Sequence, residues 1–346
     1  MNRLTQSSLW QLTLWRFREF AREPEAMFWV FAFPILLAFA LGLAFKTRGV
    51  DVARVAVAEG PGAAELIAVL DASARIEAML LEGDSAYHRL RTGRVAMVVH
   101  PGDTVVLQFD STRSESAVAR LVVDRVLQEA AGRRDVREIR EMRVTEPGSR
   151  YIDFLIPGLL GLNIMGTGMW SVGFGIVKSR QDKLLKRFLA SPMRKSEYML
   201  SYILARLVFL ILEVAALVLF GYWVFHVPMR GSVFALGATA LVGAMAFSGL
   251  GLLVASRVKT IEGVSGLMNV VMVPMWICSG VFFAYSNFPD FLQPFIRALP
   301  LTALNDALRA VMLEGAGFAA IVGSLGVVAL WGVASFGTAV RIFRWQ

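Results

Sequence analysis

The sequence predicts a polytopic α-helical membrane protein, with six transmembrane helices and an extracytoplasmic α/β domain inserted after the first. Three observations carry this. The chain of 346 residues is 56% hydrophobic, with a mean hydropathy of +0.58, too apolar for an ordinary soluble domain. Uncharged runs close to the ~20 residues needed to cross a hydrocarbon core of ~30 Å recur along it. Residues 46–150 are the exception, holding 16 Lys/Arg and 16 Asp/Glu.

The first element, within residues 1–25, is an amphipathic helix. Trp10, Leu14, Phe17 and Ala21 share a face, with Arg16, Arg18 and Glu19 elsewhere. A Trp- and Phe-rich helix flanked by Arg suits the headgroup layer of a membrane; a partner protein could cover the same face. The first span is 26–45. Ala38-Phe-Ala40 resembles a signal-peptide cleavage site, but the leading charged region is long and the apolar core exceeds the usual 7–15 residues, so an uncleaved anchor is expected.

Residues 46–150 read as a small α/β domain. Ala53–Ala58, Arg94–Val99 and Thr104–Phe109 are strand-like, with Val105, Leu107 and Phe109 alternating. Ala63–Asp71 fits a helix. Ser116–Ala131 fits another, with Val118, Leu121, Val122 and Val126 on one face and Gly132 as its stop. No Gly-rich phosphate loop or metal-binding pattern occurs there, and the plain expectation is a packed, shape-defining domain.

Residues 151–346 carry five further spans, at Phe154–Val177, about Ser201–Phe225, Gly231–Ser256, within Gly263–Pro289, and Gly315–Val340. The run 263–289 is long enough to cross and continue as an irregular outer segment. The third span is apolar except for Arg206 and Glu213. These lie on nearly the same face, but two turns apart along the axis, which argues against a direct pair. A mid-span carboxylate is costly unless paired, protonated or hydrated, so Glu213 reads either as part of a substrate path or dimer seam, or as a hydrogen-bonded interior group. Asn163 and Asn269 are polar positions inside spans, suited to interhelical hydrogen bonds or to the same path. Asp306 and Arg309, three apart, fit a local pair near the outer surface.

Outside residues 46–150 there are 19 Lys/Arg against 11 Asp/Glu, which supplies the entire net charge of +8. Positive charge so distributed is a topology signal rather than a nucleic-acid patch. It clusters at Arg3, Arg16, Arg18 and Arg22; on the 178–195 connector; at Arg257 and Lys259; and at Arg341 and Arg344. With six spans this places both termini in the cytoplasm. Cys278 is the one cysteine, so no intramolecular disulfide or cysteine-based metal site is available, and the three histidines are scattered.

The connector at about 178–199 does more than set topology. Leu184, Leu185, Phe188 and Leu189 form an apolar stripe amid Asp182, Lys183, Lys186 and Arg187, and Ser191-Pro192 ends the helix. Such a stripe needs covering, which favours docking of a partner.

Several stretches together resemble a type 2 ABC transporter permease with a large extracytoplasmic domain after the first span. They are Arg22-Glu-Pro-Glu-Ala-Met-Phe28 leading to Phe33-Pro34, Ile156-Pro-Gly-Leu159, Phe188-Leu-Ala-Ser-Pro-Met-Arg194 with its L-x-[ST]-P turn, and Phe288-Pro-Asp-Phe-Leu292 followed by Leu299-Pro-Leu-Thr302 and Asp306-Ala-Leu-Arg309. The family usually carries an acidic-Gly-Thr stretch before the coupling turn; this chain has Arg180-Gln-Asp-Lys-Leu184 there. The resemblance implies a subunit of an exporter in the bacterial cytoplasmic (inner) membrane that forms the substrate path as a dimer with a second copy or a related permease. It also implies a coupling helix, Asp182, Leu184, Leu185, Phe188, Leu189, Ser191 and Pro192, docked on a separate ATP-binding subunit. The chain has no G-x-x-x-x-G-K-[ST] loop. ATP and Mg are therefore expected in that partner, with no cofactor, metal or catalytic residue in this chain and no enzymatic activity of its own. The competing readings are an intramembrane enzyme, disfavoured by the lack of a histidine pair or a catalytic Ser or Asp arrangement, and a membrane sensor or scaffold with 46–150 as its receptor.

Overall fold

A computed structural model describes residues 8–45, 52–133, 148, 150–182 and 195–342. The chain divides into two compact units, residues 47–144 and the remainder.

In the smaller unit, β1 (Ala53–Ala58), α3 (Ala63–Asp71), β2 (Ile76–Leu81), α4 (Gly83–Arg91), β3 (Met97–His100), β4 (Val106–Phe109) and α5 (Ser114–Ala130) follow one another. The sheet order is β2-β1-β3-β4. β1 runs parallel to β2, with Ala53 opposite Ile76, and parallel to β3; β3 and β4 are antiparallel. Residues alternate between two faces of a strand. Val55, Val57, Met97 and Val99 therefore join Leu70, Ala119 and Val123 of α3 and α5 in one core, while Ala56, Ala58 and Val98 join Ala86 and Leu90 of α4 in another. This three-layer α/β arrangement contains the strands and helices expected from sequence, and adds β2 and α4.

The helical unit begins with α1 (Ser8–Ala21) and α2 (Pro24–Ala44), the latter containing a π-helical turn at Phe28–Ala32. It continues with α6 (Tyr151–Gln181), α7 (Lys195–Phe225), α8 (Val233–Ala255) and α9 (Ile261–Cys278). A 3₁₀ turn (Tyr285–Asn287), α10 (Gln293–Arg297), α11 (Pro300–Arg309) with a π-helical extension (Ala310–Glu314), and α12 (Phe318–Ile342) complete it. Among the described residues, α2, α6, α7, α8, α9 and α12 are long and apolar enough to cross a membrane. The chain is a polytopic helical membrane protein.

α6 and α8 form the centre, and both are mostly buried. Their backbones approach closely because glycine faces the contact: a Cβ on Gly251 of α8 would stand 2.6 Å from the Met169 carbonyl oxygen of α6. α9 covers α6 differently, through Met268, Met272 and Met275, flexible side chains that fill irregular gaps. α1 packs on α7, where Phe17 stacks on Phe209 (ring centroids 5.3 Å apart) and Phe20 lies 4.3 Å from the same ring, while Trp10 is exposed.

Polar contacts at the helix ends define the up-down alternation. At one end Lys178 faces Glu23 at 3.8 Å, and Arg180 and Gln181 donate to carbonyls between Ala255 and Lys259. At the other, Arg150 donates to the His226 carbonyl at 3.1 Å, and the Arg230 N–H to that of Met312 at 2.9 Å. After α9 the chain runs through turns and one 3₁₀ turn as far as residue 289, the irregular stretch expected from sequence, and becomes regular again further on. α11 is a buried helix whose Leu301, Leu304, Ala307 and Leu308 enter the main core.

Candidate functional site

Two features stand out: a polar network sealed between α6 and α7, and the approach to the connector beyond Asp182.

The network starts from a covalent constraint in α2. Pro34 has no N–H, so it offers no donor to the carbonyl four residues back, that of Val30. Asn163 of α6 fills the gap, its Nδ2 donating to the Val30 oxygen at 3.1 Å. The interhelical hydrogen bond expected of Asn163 is present. One turn on, Thr167 stands within hydrogen-bond distance of Arg206 and Glu213, both from α7.

Arg206 and Glu213 are a direct ion pair, Nη1 to Oε1 at 2.8 Å, against the expectation drawn from their axial separation. Seven residues span ~10.5 Å of helix axis but return to within ~20° of the same direction. The Glu213 side chain tilts back toward the helix N-terminus, and the long Arg206 stem closes the remaining gap. Sequence spacing alone measured the backbone and left out side-chain reach. Arg206 Nη2 also donates to Thr167 Oγ1 at 2.7 Å, and the single Thr167 proton lies between Glu213 Oε2 (3.0 Å) and the Asn163 carbonyl (2.7 Å). Glu213 is 1% exposed and the Arg206 side chain 14%. The pair is net neutral and hydrogen-bonded, the condition under which charge is tolerated in a membrane interior. Glu213 and Asn163 thus face contacts within one copy of the chain. Asn269 lies on the exposed side of α9 and makes no hydrogen bond among the described residues.

A second polar junction went unread in the sequence. Arg309 of α11 donates to the carbonyls of Phe154 (3.4 Å) and Gly280, with its guanidinium 3.7 Å from the Phe154 ring centroid. Asp306 is 3.8 Å away, so the local pair exists, but Arg309 is buried and serves mainly to tie α11 to α6 and to the turn after α9. Burial pulls its guanidinium down to about 10, against the opposing pull of Asp306. Nearby, Asn305 donates to the Ser279 carbonyl at 2.9 Å and sits where a Cβ on Gly161 would fall. At the start of α6, Asp153 accepts from the N–H groups of Gly148 (2.9 Å) and Arg150 (3.1 Å) and pairs with the Arg150 side chain, whose pKa it raises.

Of the connector residues, Asp182 is exposed at the end of α6, its N–H bonded to the Lys178 carbonyl at 2.9 Å. Leu184, Leu185, Phe188, Leu189, Ser191 and Pro192 lie outside the described residues. Among the described residues no group of three or more His, Cys, Asp or Glu could hold a metal.

Comparison with known proteins matches this arrangement of spans to one family. The chain is 32% identical over 177 residues to "ABC transporter G family member 20" of Dictyostelium discoideum. It is 22% identical over 170 residues to "Probable multidrug ABC transporter permease YbhR" of Escherichia coli, and 23% identical over 183 residues to "Linearmycin resistance permease protein LnrN" of Bacillus subtilis. These matches cover 49%, 49% and 53% of this chain, and 23%, 46% and 47% of the respective relatives. The chain therefore spans about half or less of the length of these curated relatives. The model of the ABC-2 family transporter proteins extends over residues 25–341, nearly the full chain, and the chain belongs to that family.

Proposed function

We propose that the chain is the transmembrane permease subunit of an ATP-driven exporter in a bacterial inner membrane. Both termini and the 178–199 connector face the cytoplasm, and residues 47–144 lie outside. A separate ATP-binding subunit supplies the ATP and Mg site, since this chain carries no phosphate-cradling loop. The observation that carries the reading is the family match across all six apolar helices.

Six spans are few for a transport path, so two copies, or this chain and a related one, enclose it. Asn269, mid-span and exposed, supports placing the path or seam against its face of α9, because a bare amide facing hydrocarbon is costly. Glu213 and Asn163 then act from behind, fixing the helices that line the path. The names of two relatives, a multidrug and a linearmycin resistance permease, favour drugs as cargo, and the apolar spans favour amphiphilic ones.

The test is a resistance assay in cells carrying the chain and an ATP-binding subunit that co-purifies with it. A panel of amphiphilic antibiotics should show raised inhibitory concentrations. Leu189→Asp or Phe188→Asp should abolish them while leaving membrane insertion and ATP hydrolysis in place. Full resistance in those variants would remove the connector from the mechanism, and no change across the panel would reject the cargo class.

A further inference from the structure

The connector is anchored unequally at its two ends. On the α7 side, the first described polar ties back to α6 are those of Arg206. On the α6 side, the anchor is part of the connector's own first residues, Arg180 and Gln181, immediately before Asp182. Arg180 Nη1 donates to the carbonyls of Val258 and Ala255 (3.3 Å), Nη2 reaches that of Ser256 at 3.5 Å, and Gln181 Nε2 donates to the Lys259 carbonyl at 3.3 Å. The last carbonyls of a helix have no donor within it. Arg180 supplies donors to those of α8 and to the turn that begins α9, and a cation at a helix C-terminus also meets its partial negative charge.

The packing around this strap is uneven. α6 and α8 meet backbone to backbone at Gly251, so they move together. α9 is held on α6 by methionines, which accommodate sliding. Among the described contacts, the polar ties between the α8–α9 turn and α6 all come from Arg180 and Gln181.

We infer that Arg180 is a positioning residue that makes the α8–α9 turn follow the connector, so that a push delivered beyond Asp182 reaches α9 through a guanidinium rather than through side-chain packing. The inference rests on reading the connector as the docking site for an ATP-binding subunit, and it adds which helix is driven and by which group.

The experiment uses the full chain with its co-purified ATP-binding subunit in nanodiscs, with Cys278→Ser as background. A single reporter thiol is placed by Lys178→Cys at the end of α6 or by Glu262→Cys at the start of α9, both exposed positions. Maleimide reaction rates are compared without nucleotide and after trapping with MgATP and vanadate. In the parent both rates should change on trapping. Arg180→Gln should leave the change at 178 and reduce that at 262 by about half or more, a range typical of coupling residues, while Arg180→Lys should fall between. An unchanged response at 262 in Arg180→Gln overturns the strap alone. No response at 178 in the parent overturns the permease reading and the strap with it. Should Arg180→Gln fail to assemble, Arg180→Lys decides: a smaller response at 262 supports the strap and an undiminished one overturns it. General loosening of the fold would alter both reporters together and equally counts against the inference.

Discussion

Replacing Glu213 by Leu should be far more damaging than replacing Arg206 by Leu, although each breaks the same contact. Removing one member of a buried ion pair costs ~3–5 kcal/mol because the other charge is left uncompensated. The two leftovers are not equivalent. With Glu213→Leu the orphan is a guanidinium, which cannot shed its proton and whose Nε already lacks a partner; it retains only Thr167. With Arg206→Leu the orphan is a carboxyl, which can take up a proton and donate to Thr167 Oγ1, at 3.0 Å in the parent. The full ~3–5 kcal/mol is expected for the first and about half of that for the second. The double substitution removes both charges from a largely dry site and should be close to neutral, so the coupling in the cycle should be as large as the two single losses together, about 4.5–7.5 kcal/mol. The measurement is reversible SDS unfolding of the four proteins in mixed micelles, followed by tryptophan fluorescence. Equal losses in the two single variants, or a double variant as weak as their sum, would refute the idea that the network is a self-contained neutral pair.

Three other outcomes follow from the same geometry. Asn163→Leu strands the Val30 carbonyl and should lose ~1–3 kcal/mol in the same assay; adding Pro34→Ala, which restores a backbone donor near that carbonyl, should recover part of it. Gly161→Ala places a methyl where Asn305 sits and should lose ~1–3 kcal/mol by overpacking, with partial relief from Asn305→Ala in the same chain. A thiol introduced by Lys178→Cys should react with an impermeant maleimide only after the cells are opened; reaction in intact cells would reverse the proposed orientation.

The sequence disclosed the spans because each needs only a length of uncharged residues, and helix ends such as Ala63–Asp71 fell where expected. It concealed β2, where Ile76–Leu81 does not alternate cleanly and Glu77 interrupts an otherwise apolar run. α4 was hidden too, since only Ala86 and Leu90 mark its buried face. Asn163 was legible as a hydrogen-bonding position, but its partner was a backbone carbonyl made available by Pro34, 129 residues earlier, a relation no local pattern encodes. The Arg206–Glu213 pair was misjudged for a simpler reason: helix rise was counted and rotamer reach was not. Arg180 and Arg309 looked like a topology charge and a surface partner. Their acceptors are main-chain oxygens on other helices, and main-chain oxygens leave no trace in residue identity.

The carbonyl at Val30 also governs how α2 can travel. Pro34 is the single proline inside α2 beyond its first turn, and it withholds a backbone donor from the turn in which the Val30 oxygen takes its bond from Asn163. Shifting α2 along α6 by one residue would break the Asn163 bond and carry the Val30 oxygen away from its interhelical donor. The first helix is therefore indexed to the second like a pin in a notch: it can swing or tilt about that point, but its vertical setting is locked.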